Sequence, residues 1–218
     1  MKSLVLFDLD GTLIDSIQDL TDSTNYALAE CSLPLHSVEE YKYFVGNSVD
    51  PLIRRALPEG ERDNQALFEQ VKKIYLNRYA AHSKDKTRPY PGIEKLLAQC
   101  NESGVLIAVV SNKPHDITAD VVRYYFPKIC FAATIGQKEG IPQKPDPAGV
   151  REVLRLTSTS PSDALYVGDT WVDMQTAQNS GLQSCGVLWG FRTRQELEEH
   201  HADFIVADAE GLAKIIFG

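Results

Sequence analysis

The chain has 218 residues, 43% of them apolar, which is enough for a sizeable core and above the usual single-domain length, so a core domain with an inserted smaller module is readily accommodated. A formal charge of −8 opposes non-specific attachment to nucleic acid or anionic membranes, and any anionic substrate must be held by local positive charge. Cys31, Cys100, Cys130 and Cys185 lack CxxC pairing or zinc-type His spacing, and no apolar stretch approaches membrane-spanning length, so the expectation is a soluble cytoplasmic protein with reduced thiols.

The first predicted element is the apolar run Leu4–Phe7, which leads into Asp8-Leu9-Asp10-Gly11-Thr12-Leu13. Carboxylates at the edge of a core cost free energy unless a cation or hydrogen bonds compensate them, so the pair suggests a hard-cation site. A strand-to-turn junction with Asp and Gly serves the same six residues equally well.

Residues 15–86 contain no convincing strand and read as amphipathic helices, such as 17–31 and 64–81, divided by Pro34, Pro58 and Gly60. Within them, 44–50 is a candidate specificity loop: Gly46 permits close approach, while Asn47 and Ser48 offer hydrogen bonds. A plain inter-helix turn fits as well. A polar return through Lys84 to Pro89 leads back to the core.

Short apolar runs then alternate with helical stretches at 105–110, 131–135, 164–167 and 184–188. Several are continuously apolar, as strands covered on both faces would be. The pattern predicts an α/β fold: a doubly wound, Rossmann-like parallel sheet from 1–14 and 87–218, with an inserted α-helical domain at 15–86. In such a fold the site lies at the carboxyl ends of the strands, where Asp8, Asp10, Ser111, Asn112 and Asp169 fall.

Ser111 and Asn112 suit phosphate oxygens, with backbone N–H groups added by a helix beginning near Pro114, although the same residues also cap helices. Lys144-Pro145-Asp146-Pro147 supplies a cation in a rigid loop. Gly168-Asp169-Thr170-Trp171-Val172-Asp173 repeats the logic of the first acidic pair. If the two strands are neighbours, Asp8, Asp10 and Asp169 converge in the oxygen-rich environment that Mg²⁺ prefers, with Asp173 one helical turn behind. For Asp169 alone, an N-cap is the plainer reading. His200 and His201 adjoin a Glu-rich helical face and are assigned no role. Trp171, Trp189 and Phe191 read as packing residues more readily than as substrate contacts.

Asp8-x-Asp10-Gly11-Thr12, Ser111, Lys144-Pro145 and Gly168-Asp169-x-x-x-Asp173 resemble, in order, the four motifs of the haloacid-dehalogenase-like phosphohydrolases. The insert resembles the helical cap of the phosphoglycolate phosphatase and phosphomutase branches. The resemblance implies Asp8 as nucleophile and Asp10 as general acid, then base. Lys144 completes the catalytic set. It further implies Mg²⁺ held by Asp8, Asp169 and the Asp10 backbone carbonyl, supported by Asp173. Thr12, Ser111 and Asn112, with Gly46 and Asn47 of the cap, are the implied substrate-binding residues. The cap would close over the leaving group and exclude water.

The implied activity is a phosphatase acting on a small phosphorylated metabolite, phosphoglycolate first, as a monomer or homodimer. A β-phosphoglucomutase-like mutase is disfavoured because Val49 stands where mutases generally carry Arg, with Arg54 and Arg55 further on. A pyrophosphatase remains open. Dehalogenases lack the counterpart of Asp10, and a phospho-Asp signalling module needs neither lid nor general acid.

Overall fold

The computed structural model describes all 218 residues. The chain opens with β1 (Leu4–Phe7), and β2 (Ile14–Asp15) leads out into four helices: α1 (Ile17–Glu30), α2 (Val38–Phe44), α3 (Val49–Ala56) and α4 (Gln65–His82). After β3 (Arg88–Pro89) come α5 (Ile93–Glu102), β4 (Leu106–Pro114), α6 (His115–Tyr125), β5 (Ala133–Gln137) and α7 (Ala148–Thr157). The remainder is β6 (Ala164–Gly168), α8 (Trp171–Ser180), β7 (Gln183–Val187), α9 (Arg194–Glu199), β8 (Phe204–Val206) and α10 (Ala209–Phe217). Met1–Ile14 with Pro89–Gly218 forms one compact unit, and Asp15–Arg88 forms the other.

In the first unit six parallel strands lie in the order β5-β4-β1-β6-β7-β8. The period of two along β1 shows why its sequence is apolar throughout. Val5 and Phe7 pack into one cluster with Leu96, Leu97, Val121 and Ile216, from the helices on that face. Leu4 and Leu6 pack into another with Val150, Val153 and Ala177, from α7 and α8. A strand covered on both faces has no position for a polar side chain until it leaves the sheet. Asp8 is that position.

Phe7, the last residue of β1, pairs with Val109 on one side and Val167 on the other; β6 ends one residue further on, while β4 continues to Pro114. The direction of winding reverses between β1 and β6, and at such a switch point the loops diverge and leave a crevice. Asp8 and Asp169 emerge from the two strands that flank it. The short strand β8 was not anticipated, because three residues, two of them only half-buried, carry too little pattern to separate from loop.

In the second unit Phe68, Val71, Tyr75 and Tyr79 bury one stripe of α4, which packs against α1. The α2 N-terminus is closed by a capping box between Ser37 and Glu40. Asp19, buried near the start of α1, accepts from the backbone N–H groups of Lys86 (2.9 Å) and Thr87 (2.9 Å) and from the Thr87 hydroxyl (2.7 Å). The chain entering this unit is thereby tied to the chain leaving it. No helix is long and apolar enough to cross a membrane, and all four cysteines are free thiols.

Candidate active site

Asp8 keeps its backbone on the sheet ladder, donating to the Val167 carbonyl at 2.9 Å, while its carboxylate meets Lys144. The Lys144 ammonium lies 2.9 Å from Asp8 Oδ1 and 2.7 Å from Asp173 Oδ1. The lysine is located by its backbone: its N–H donates to Asn112 Oδ1 (2.8 Å), and its carbonyl accepts from Asn112 Nδ2 (3.1 Å). A residue near the end of β4 thus fixes a loop that precedes α7.

Asp169 leaves β6 and accepts from the Thr12 hydroxyl (3.2 Å) on one oxygen and the Phe191 N–H (2.7 Å) on the other. Its proximity to the first loop requires Gly11, where a Cβ would fall 2.3 Å from an Asp169 oxygen and where φ is +84°. The N-cap of α8 is Thr170, not Asp169. Thr170 and Asp173 form a capping box in which Asp173 Oδ2 accepts from the Thr170 N–H (3.1 Å) and hydroxyl (2.8 Å). Asp173 therefore has one oxygen on the helix terminus and the other on Lys144.

One oxygen from each of Asp8, Asp169 and Asp173 lies within 4.8 Å of the others, and all three residues are buried. Burial pushes the Asp8 carboxyl up to about 7, with Lys144 opposing and Asp173 reinforcing the rise. Asp169 is held well above the usual carboxylate range, first by burial and then by Asp173 and Asp8. Burial alone would lower Lys144, but Asp173 and Asp8 together hold its ammonium well above the ordinary value.

Three clustered carboxylates against one contacting ammonium are under-compensated, and their hard oxygen donors suit a small dication. The sign of the pH effect follows. Asp8 binds its proton more tightly folded than unfolded, so its contribution to stability is complete below the ordinary carboxylate range and lost as pH rises to about 7. A dication favours the ionised groups. Excess Mg²⁺ should therefore raise the melting temperature over an EDTA-treated sample more at about pH 8 than at about pH 5. Thermal unfolding checks this, and equal shifts at both pH values would count against a metal on these carboxylates.

Asp10 belongs to a different pair. Lys113 Nζ bonds both of its carboxylate oxygens, at 2.8 and 2.9 Å. Sequence reading gave Lys113 no role, because one lysine after a strand carries no periodic or spacing signal and its partner is distant in sequence.

Two of the expected substrate contacts have partners within the protein. Thr12 is fully buried, and its hydroxyl donates to Asp169. Asn112 has both ends of its amide on the Lys144 backbone, which makes it a brace for the lysine. Ser111 is buried at the end of β4 and accepts from the Lys113 N–H at 3.2 Å.

Gly46 and Asn47 lie in the second unit, between α2 and α3. Gly46 has φ of +109° and Ser48, unusually for a residue with a side chain, +125°. Arg55 holds this segment by donating to the Phe44 carbonyl and to Asn47 Oδ1, both at 2.8 Å. Arg54 is engaged elsewhere, donating to the Arg62 carbonyl and to Gln65 and lying over the Phe68 ring. The aromatics serve packing and hydrogen bonding: Trp189 donates to the Thr12 carbonyl at 3.0 Å and packs near Tyr90, and Trp171 lies against His200.

Comparison with known proteins places the chain among relatives over nearly its whole length. Curated relatives include phosphoglycolate phosphatases from Pseudomonas putida, 33% identical over 97% of this chain and 79% of that protein, and from Mannheimia succiniciproducens, 33% identical over 98% and 97%. A solved structure from Lactobacillus delbrueckii subsp. bulgaricus superposes with a TM-score of 0.93 at 33% identity, covering 99% of each chain. One from Haemophilus somnus, described as a predicted phosphoglycolate phosphatase, gives 0.90 at 27%, covering 98% of this chain and 97% of that one. The sequence profile of the haloacid dehalogenase-like hydrolases matches residues 5–187, a span that runs from β1 through the last strand neighbouring β6, and the chain belongs to that family, as a phosphatase.

Proposed function

We propose that this phosphatase hydrolyses 2-phosphoglycolate, or a closely similar small phosphomonoester, by two displacements on Asp8. The observation that carries the reading is the linked set Asp8–Lys144–Asp173 beside Asp169, which leaves a carboxylate at the end of β1 with one cation to steady it. In the first displacement an Asp8 oxygen attacks phosphorus and the ester P–O bond breaks, with Asp10 giving a proton to the departing alkoxide. In the second, Asp10 takes a proton from water as that water attacks the phosphoaspartate, releasing phosphate and restoring Asp8.

Lys144 offsets charge on the phosphoryl group and on Asp8, and Asp173 and Asn112 keep it in place. Mg²⁺ carried by Asp8, Asp169 and the Asp10 backbone carbonyl would supply shielding between the two anions that must meet. The substrate assignment draws on the phosphoglycolate phosphatases among the relatives.

The test is phosphate release from a panel of phosphoglycolate, pyrophosphate, sugar phosphates and nucleotides in the presence of Mg²⁺, with phosphoglycolate expected to give the highest kcat/KM. Asp10→Asn should slow turnover of an alkyl phosphate by roughly a hundredfold or more, the loss typical of a missing general acid–base. Unchanged turnover would remove Asp10 from the proton-carrying role.

A further inference from the structure

We propose that Tyr166 is a positioning residue of the phosphoryl site, lying across β1 and setting the spacing between Ser111 and the Lys144 ammonium. The inference rests on the reading of Lys144 as the cation on the phosphoryl group, with Ser111 beside it, and deepens that reading.

Tyr166 stands on β6, where it pairs with Leu6 of β1, and it is fully buried. It belongs to the apolar cluster that contains Leu4, Leu6, Ala108 and Val110. Its hydroxyl, however, donates to the Val110 carbonyl of β4 at 3.1 Å, and β1 lies between β6 and β4, so the side chain crosses the face of the intervening strand. A phenol buried among apolar groups needs an acceptor for its O–H, and the acceptor here is the residue next to Ser111. Burial holds the phenol well above its ordinary range, with Lys144 opposing, so the hydroxyl stays a donor.

The Val110 carbonyl is a consequential place to hold. The regular pairing of β1 with β4 ends at Phe7 and Val109, and the pairing of β4 with β5 is irregular between Val110 and Pro114. The peptide that joins Val110 to Ser111 therefore sits where the sheet ladders give out. Because a peptide is planar, fixing its oxygen also fixes the direction of the Ser111 N–H, and with it the start of Ser111-Asn112-Lys113.

The ring of the same residue meets Lys144. The ammonium lies 5.6 Å from the ring centre, while its ion pairs go to Asp8 (2.9 Å) and Asp173 (2.7 Å). An aromatic ring attracts a cation without carrying a net charge. A further carboxylate in its place would hold the lysine as well but would repel a phosphoryl group. One side chain thus reaches the peptide before Ser111 through its hydroxyl and Lys144 through its ring.

The experiment separates these two contacts, with inorganic phosphate as the binding probe and phosphoglycolate as the substrate. Tyr166→Phe keeps the ring and removes the O–H. Its dissociation constant for phosphate, measured by calorimetry with Mg²⁺ present, and its KM should rise together by about fivefold to tenfold, the range for one hydrogen bond, with kcat within about threefold of the wild type. Tyr166→Leu removes the ring as well and should lower kcat by about tenfold more, because Lys144 offsets charge that develops in the transition state. Recovery of that kcat in Tyr166→Phe is the mark of the ring. Val153→Ala, which thins the same apolar cluster from α7, controls for lost packing: it should lower the melting temperature and leave phosphate affinity within about threefold.

If Tyr166→Leu does not fold, Tyr166→Met is read in its place, and Tyr166→Phe remains a test by itself. Tyr166 variants that depart from the wild type no further than Val153→Ala does would overturn the proposal by showing that the tyrosine only packs. If Lys144→Met and Ser111→Ala weaken phosphate binding while the Tyr166 variants do not, the proposal alone fails. If neither Lys144→Met nor Ser111→Ala weakens it, the underlying reading of the phosphoryl site fails as well.

Discussion

Asp8→Asn is expected to abolish phosphate release, by at least about 10⁴-fold, while leaving the chain folded. The amide keeps the shape of the side chain but lacks the nucleophilic oxygen, and no other carboxylate stands at the end of β1 with Lys144 against it. The same substitution should stabilise the metal-free protein at about pH 8. Burial makes ionised Asp8 costly, which is why its carboxyl is pushed up to about 7, and asparagine removes the charge. Lys144 retains Asp173 at 2.7 Å as its partner. Activity and stability therefore move in opposite directions. Phosphate-release assays and thermal unfolding in EDTA measure the two, and a variant that keeps substantial turnover would exclude Asp8 as nucleophile.

Lys144→Met should damage both properties. Removing one partner from a buried ionic network leaves the others uncompensated, at a cost of about 3–5 kcal/mol. For a chain of this length that is a fall in melting temperature of roughly 10 °C, taking about 2–4 °C per kcal/mol. Loss of the cation that faces the phosphoryl group should lower kcat/KM by about 10³-fold. The pH profile identifies the cause. Without Lys144 the carboxyls of Asp8, Asp169 and Asp173 repel one another, so the destabilisation should be small below the ordinary carboxylate range and grow as pH rises. A loss of stability independent of pH would point instead to the lost contact of the Lys144 ammonium with the Tyr166 ring.

Much of the fold was legible in the sequence because its signal is local. Leu4–Phe7 and the later apolar runs reveal strands covered on both faces, whereas the strand order that puts Asp8 and Asp169 at its switch point comes from the tertiary pairing. Acidic residues directly after such strands have few uses other than caps and cation sites. Thr170, not Asp169, turned out to fill the cap position. The strand β8 escaped notice because burial on a short half-covered edge leaves no alternation to read.

The sequence by itself determined which residue types stand at the strand ends, and with the ordered motifs it determined the family and the nucleophile candidate. Only the tertiary structure decided how those residues divide the work. Asn112 braces Lys144, Thr12 donates to Asp169, Asp173 joins a helix cap to the lysine, and Lys113 takes Asp10. The physical reason is that a hydrogen bond or ion pair is specified by distance and direction, and these partners come from loops far apart in the chain. Covalent order constrains which side chains are available at each strand end, but parallel pairing of β1 with β4 and β6 sets which of them can touch.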